Sequence, residues 1–234
     1  MMNFNFLLKH SRIIISILAV LLIIALCISL FLIFNSPPDY QQSYFVKIMY
    51  IHVPSAWMAL GIYALIGFFS FCYLIWQNPF LDLIARQAAL PGAIFAFITL
   101  TTGSLWGKPI WGTWWVWDAR LTSMLILFFF YISYIALCTS LNNEVIKSNS
   151  PAVLAIIGTI NIPIVKFSVN MWSTLHQPSS FIRSEGIAIA PSLLAPLLAM
   201  FITCILFFML LIVIRVETQI IQKKILRFQY RSVR

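Results

Sequence analysis

The chain has 234 residues, with 15 Lys or Arg against 6 Asp or Glu; hydrophobic types make up 62% and charged types 9%. Soluble domains run at about 25% charged and about 45–50% apolar, so these proportions exclude a soluble enzyme and equally a disordered chain. They specify an all-α polytopic bundle: a single membrane domain over 1–234, long enough for six spans of about 20 residues with short connections.

The first apolar run, about 13–34, begins directly after Arg12. It exceeds the hydrophobic region of a signal peptide, and Asn35-Ser36-Pro37-Pro38 is a poor cleavage site, so it reads as a retained helix. The second, about 48–76, follows a link holding Asp39 and Lys47. The third, about 88–105, is entered through Pro91-Gly92, and the fourth, about 121–140, is heavy in Phe, Ile and Leu. The fifth, about 152–170, contains Pro163 and Lys166. The sixth, about 187–214, contains Pro191 and Pro196, which predicts a tilt or kink near its start.

Charge placement orients the bundle. An even number of spans puts both termini on one side. That side carries Lys9 and Arg12, the links with Arg86 and Lys147, and a basic tail over 215–234 with Arg215, Lys223, Lys224, Arg227, Arg231 and Arg234. The other side has Lys47, Lys108 and Arg183, with Arg120 at the boundary. The positive-inside rule then predicts cytoplasmic termini. The tail needs no nucleic acid to explain it: anionic lipid suffices, and the apolar residues Ile220, Ile221, Ile225 and Leu226 suit a short amphipathic helix on the inner leaflet.

On the outward side the link over 106–120 holds five of the eight tryptophans: Trp106, Trp111, Trp114, Trp115 and Trp117. Interfacial tryptophan is common because indole is apolar with one polar N–H. Anchoring normally takes one or two per helix end, so five leave two readings: an elaborate anchor, or an aromatic shelf for a large flat ligand. His52, at the outer end of the second span, and His176, between spans five and six, face the same compartment, whereas His10 belongs to the cytoplasmic arm.

Each outward histidine has a plain reading as an interfacial hydrogen-bonding residue. Beside an aromatic shelf, the pair also matches haem, whose iron accepts an imidazole on each side of a flat apolar ring. Neutral imidazole must supply the lone pair, and a position near a helix N-terminus disfavours the charged form of His52. Haem carboxylates call for cations, for which Arg120, Arg183, Lys108 and Lys166 are candidates. Asp118 and Arg120 suit either this site or an ion pair with each other that holds the link, and Arg183 with Glu185 likewise. No Cys-x-x-Cys occurs among Cys27, Cys72, Cys138 and Cys204, so neither a thiol-exchange site nor covalent haem attachment is encoded. No phosphate-binding glycine loop is present either. A haem held here would be b-type, non-covalent and transient.

The segment Trp106-Gly107 through Trp111-Gly112-Thr113-Trp114-Trp115-Val116-Trp117-Asp118-Ala119-Arg120-Leu121-Thr122 resembles the tryptophan-rich signature of the membrane haem-handling proteins of cytochrome c maturation. Length, span count and one histidine on each side of the signature resemble the haem exporter protein C (CcmC) family within them, over essentially the whole chain. The resemblance implies a multi-pass protein of the bacterial inner membrane that holds haem at the periplasmic face. His52 and His176 would be the axial ligands, with the tryptophan link, Asp118, Arg120 and Arg183 around the ring. It implies transfer without enzymatic turnover to the periplasmic haem chaperone of the maturation system. An ATP-binding-cassette release complex and a small single-span accessory subunit are the further implied partners. The competing class is a haem permease, for which the prolines of spans five and six would mark broken helices; a third is a scaffolding subunit that binds no haem.

Overall fold

A computed structural model of the chain describes residues 4–140, 144–172, 174–176 and 189–232. Seven α-helices make up the described part: α1 (Phe4–Asn35), α2 (Met49–Trp76), α3 (Pro79–Trp111), α4 (Ala119–Ser140), α5 (Glu144–Thr159), α6 (Asn161–Met171) and α7 (Pro191–Ser232). A short 3-10 turn, Tyr44–Ile48, leads into α2. Among the described residues six stretches are long and apolar enough to cross a membrane, with α5 and α6 together supplying the fifth. The result is a polytopic all-α bundle.

The third helix begins at Pro79, nine residues before the expected 88, and runs through Trp111. The side-chain oxygen of Asn78 accepts the Phe80 N–H at 3.0 Å, and Pro79 fills the first helical position, where a missing N–H costs nothing. The polar residues that disguise this stretch are paired: Arg86 Nε lies 2.8 Å from Asp82 one turn back, and the Arg86 guanidinium also donates to Ser148 Oγ. At the far end the Gly112 N–H returns to the Lys108 carbonyl at 3.0 Å with φ of 76°, a left-handed cap that glycine adopts without strain. Trp106 and Trp111 therefore stand on helix, and the connection proper is the short stretch 112–118.

The last helix also departs from expectation. It starts with Pro191 as its first residue and continues past 214 to Ser232 as one 42-residue helix, so the basic tail extends the span instead of forming a separate surface helix. No Gly or Pro interrupts 215–232, and two contacts hold this part: Arg215 Nε donates to the Gln87 carbonyl at 3.0 Å, and Ser11 Oγ donates to Glu217 at 2.8 Å. The latter brings the two terminal helices together at one end of the bundle. Deeper along the same pair, Ser29 and Thr203 hydroxyls meet at 3.3 Å. Of the expected helical start, 187 and 188 lie outside the described residues, and 189 and 190 precede the helix.

Small residues set the interior. Ala85, Ala88, Ala89, Ala93 and Ala96 recur at helical spacing on α3 and are all buried in the core, where α3 packs closely on α2. Tyr131 of α4 reaches through this layer and donates to the Ala59 carbonyl of α2 at 2.7 Å. Gly92 is what admits it, since a β-carbon there would overlap the Tyr131 ring.

The fifth span is broken at Ile160, between α5 and α6. Pro163 offers no N–H to the Thr159 carbonyl, and the chain tightens instead, with the Ile160 N–H on Ile157 O at 3.1 Å. The break separates two partnerships. α5 packs on α2 and α4, with Thr159 seated against Gly67, whereas α6 packs on α4 and α5. Asn161 holds α6 to α4 by donating to the Ser123 carbonyl at 2.8 Å.

Candidate functional site

Between α2, α3, α4 and α6, near the ends that carry the tryptophans, lies a cavity of about 280 Å³. His52, Trp106, Trp111, Trp115, Arg120, Lys166 and His176 all line it. These residues come from four helices and two connections, so the fold gathers groups that the sequence scatters. The rest of the lining is mainly apolar, including Val53, Trp57, Leu100, Met124 and Leu197.

His52 sits in the first turns of α2, and its Nδ1 lies 3.1 Å from Thr102 Oγ1 on α3. The Thr102 hydroxyl proton is already committed to the Ile98 carbonyl at 2.6 Å. The Thr102 oxygen is therefore the acceptor, His52 Nδ1 carries the hydrogen, and Nε2 keeps its lone pair. Gly103 supplies the room: a β-carbon there would stand 2.9 Å from His52 Cε1. The Trp106 ring meets the imidazole edge-on at 5.7 Å, and its own Nε1 donates to Gln42 Oε1 at 3.0 Å.

His176 is held from the other side. Its backbone N–H donates to Thr174 Oγ1 at 3.0 Å, and its ring lies 5.0 Å from that of Trp111. Burial pushes its pKa down to about 3, helped by the positive charge of Arg120 and by His52 and opposed by Asp118. The ring is thus neutral at physiological pH. Its Nδ1 is buried without a hydrogen-bond partner, and so is Nε1 of Trp115. Buried polar atoms are rarely left so. Here both belong to residues lining one cavity, which is the arrangement a bound ligand would complete.

The other expected site residues fall into different roles. Trp114 and Trp117 do not line the cavity and are 53% and 76% exposed. Lys108 is spent locally, donating to the Gly112 carbonyl at 3.1 Å and lying 5.8 Å over the Trp114 ring. Asp118 is buried but outside the cavity lining. Its Oδ1 accepts the Leu121 N–H at 2.8 Å, capping α4, and its Oδ2 accepts the Thr174 hydroxyl. The alternative of an Asp118–Arg120 ion pair is not what forms: among the described residues the one ion pair is Asp82–Arg86. Arg183 and Glu185 lie outside the described residues.

Thr102, Gly103, Gln42 and Thr174 escaped the sequence reading. None is chemically unusual, and each matters only through the side chain it touches. Thr102 and Gly103 carry a faint signal, since they sit one turn before Trp106 on the same helix.

The donor set fits haem: two imidazoles lining one apolar aromatic cavity, one with its Nε2 lone pair left free by tautomer, and two lining cations for carboxylates. Among the described residues no group of three or more His, Cys, Asp or Glu is placed to hold a metal ion.

Comparison with known proteins agrees with this chemistry. The family model described as heme exporter protein C, CcmC, matches residues 2–231. The chain is 43% identical over 212 residues to a heme exporter protein C of Bradyrhizobium diazoefficiens, covering 91% of this chain and 81% of the relative. It is 47% identical over 166 residues to a putative cytochrome c biosynthesis ccmC-like mitochondrial protein of Marchantia polymorpha, covering 71% and 70%. To the heme exporter protein C of Escherichia coli K12 it is 44% identical over 162 residues, covering 69% of this chain and 65% of that one. With almost its full length matched, the chain belongs to the heme exporter protein C family of cytochrome c biogenesis membrane proteins.

Proposed function

We propose that this protein binds haem between His52 and His176 at the periplasmic face of the bacterial inner membrane and presents it to the periplasmic haem chaperone of cytochrome c maturation. The observation that carries this reading is the convergence of both histidines with Trp106, Trp111 and Trp115 on one cavity. Bound haem would be b-type, non-covalent and transient, since no Cys-x-x-Cys-His attachment motif is present. The chain binds and hands over; it turns nothing over. Both termini are cytoplasmic in this reading, supported by the excess of Lys and Arg near the joined ends of α1 and α7. An ATP-binding-cassette release complex and a small single-span subunit are its further partners.

Each residue has a task in the hand-over. His52 and His176 would each supply an imidazole lone pair to hold the iron. The indoles of Trp106 and Trp111 each brace one imidazole, and Trp115 offers an unspent N–H. Exposed Trp114 and Trp117 form an apolar landing at the mouth for an incoming chaperone. The absorption spectrum of the purified protein tests the reading. Wild type is expected to carry a six-coordinate haem spectrum, and His52→Ala and His176→Ala should each lose it while remaining in the membrane. Unchanged spectra in both variants would sink the ligand assignment.

The break at Ile160 favours one other reading, a permease whose fifth span is discontinuous. Sealed vesicles separate the two: haem accumulating inside vesicles that contain this chain alone supports translocation, whereas binding confined to the periplasmic face supports presentation.

A further inference from the structure

The histidines and tryptophans leave two charged lining groups, Lys166 and Arg120, without a task. Lys166 lies on α6 inside the fifth span, about one and a half turns before Met171. Its surroundings in the cavity are apolar, with Val165 beside it and Leu100, Met124 and Leu197 on the other walls. Among the described residues no Asp or Glu lines the cavity, and neither Lys166 nor Arg120 forms an ion pair.

An ammonium at membrane depth is expensive unless it snorkels to water or meets an anion. Lys166 lines the cavity, and so does Arg120 on α4, the helix against which α6 packs. One wall of an apolar pocket thus carries two positive charges and no negative one. The complement is a flat apolar ligand with two carboxylates along a single edge. Haem has that layout: both carboxylates leave the same side of the ring, and the opposite side carries none.

We propose that Lys166 and Arg120 each receive one haem carboxylate, fixing the direction in which haem is held. This rests on the haem reading of the site and adds orientation to it. The carboxylate edge is turned inward against the α4–α6 wall. The carboxylate-free edge points out toward the connection 112–118, and is the part offered to a docking partner. Lys166 is the specificity-determining residue, because it reads the carboxylate and not the iron.

The test compares haem with its dimethyl ester, which keeps ring and iron and removes both negative charges. Purified wild type, Lys166→Met and Lys166→Arg are titrated with each, following the absorption band. Lys166→Met is expected to bind haem roughly tenfold to a hundredfold more weakly than wild type, the scale of one charge-assisted hydrogen bond. It should bind the ester as wild type does, and Lys166→Arg should recover most of the haem affinity. Equal haem affinity in wild type and Lys166→Met overturns the proposal. So does an equal loss for haem and ester, which would mark Lys166 as structural. Failure of the underlying reading looks different: wild type then shows no haem spectrum dependent on His52 and His176, and both fall together.

Discussion

Thr102 decides which nitrogen of His52 keeps its lone pair. Its oxygen lies 3.1 Å from His52 Nδ1 while its proton is given to the Ile98 carbonyl at 2.6 Å, so it can only accept. Thr102→Val keeps the shape and removes the acceptor, freeing the imidazole to rotate and change tautomer. Losing such a supporting partner of a metal-bound histidine costs about tenfold to a hundredfold in affinity. Haem titration of the purified variant should show a loss of that size with thermal unfolding in detergent little changed. Wild-type affinity would remove Thr102 from the site.

Gly103 makes a separate demand on the same ring. A methyl group there would sit 2.9 Å from His52 Cε1, so Gly103→Ala must push the imidazole off its rotamer. A displacement of that kind costs about 0.5–1.5 kcal/mol, or roughly two- to twelvefold in haem affinity. The variant should fold, because a terminal ring is the part that gives way. A folded Gly103→Ala protein with unaltered haem affinity would show that the ring position seen here is not the binding one.

His176 makes a pH prediction with a definite sign. Its pKa is lowered from 6.5 to about 3, first by burial and then by Arg120 and His52. The folded protein therefore resists protonation that the unfolded chain accepts. This contribution to stability is complete above about pH 6.5 and declines as pH falls from there toward 3. In the haem-free protein the His176 ring resonance should titrate near 3, while a histidine in an unfolded peptide titrates near 6.5. Arg120→Gln removes one repelling charge and should move the midpoint upward. Proton NMR of the isotope-labelled protein in detergent reads both; a midpoint near 6.5 in wild type would contradict the burial.

What could be read in advance, and what could not, divides along physical lines. The spans were legible because a bilayer demands long apolar runs, and the two histidines and the tryptophan link were legible because such residues are scarce elsewhere in the chain. The start of α3 was hidden by Asp82 and Arg86, whose polarity is neutralised by each other and by Ser148 of α5, far along the sequence. The reach of α7 was hidden for the same reason, because Glu217 finds its partner in Ser11, near the other end of the sequence. Thr102 and Gly103 are ordinary residues whose importance comes from the register between α2 and α3. Composition does not record register.

Asp118 carries the last prediction, because its position separates two roles that its sequence context merged. Its carboxylate caps α4 through the Leu121 N–H and accepts the Thr174 hydroxyl, and Thr174 Oγ1 in turn accepts the His176 N–H. In the proposed haem site this chain of hydrogen bonds would make Asp118 a positioning residue, acting through Thr174 and His176. Asp118→Ala should lose the cap, worth about 0.5–2 kcal/mol of stability, and also slacken His176. Thr174→Val should leave the cap intact and reproduce the second effect alone: weaker haem binding with nearly wild-type thermal stability. The two measurements together decide the matter. If Thr174→Val binds haem as tightly as wild type while Asp118→Ala does not, the carboxylate acts on the site by some route other than this chain of hydrogen bonds.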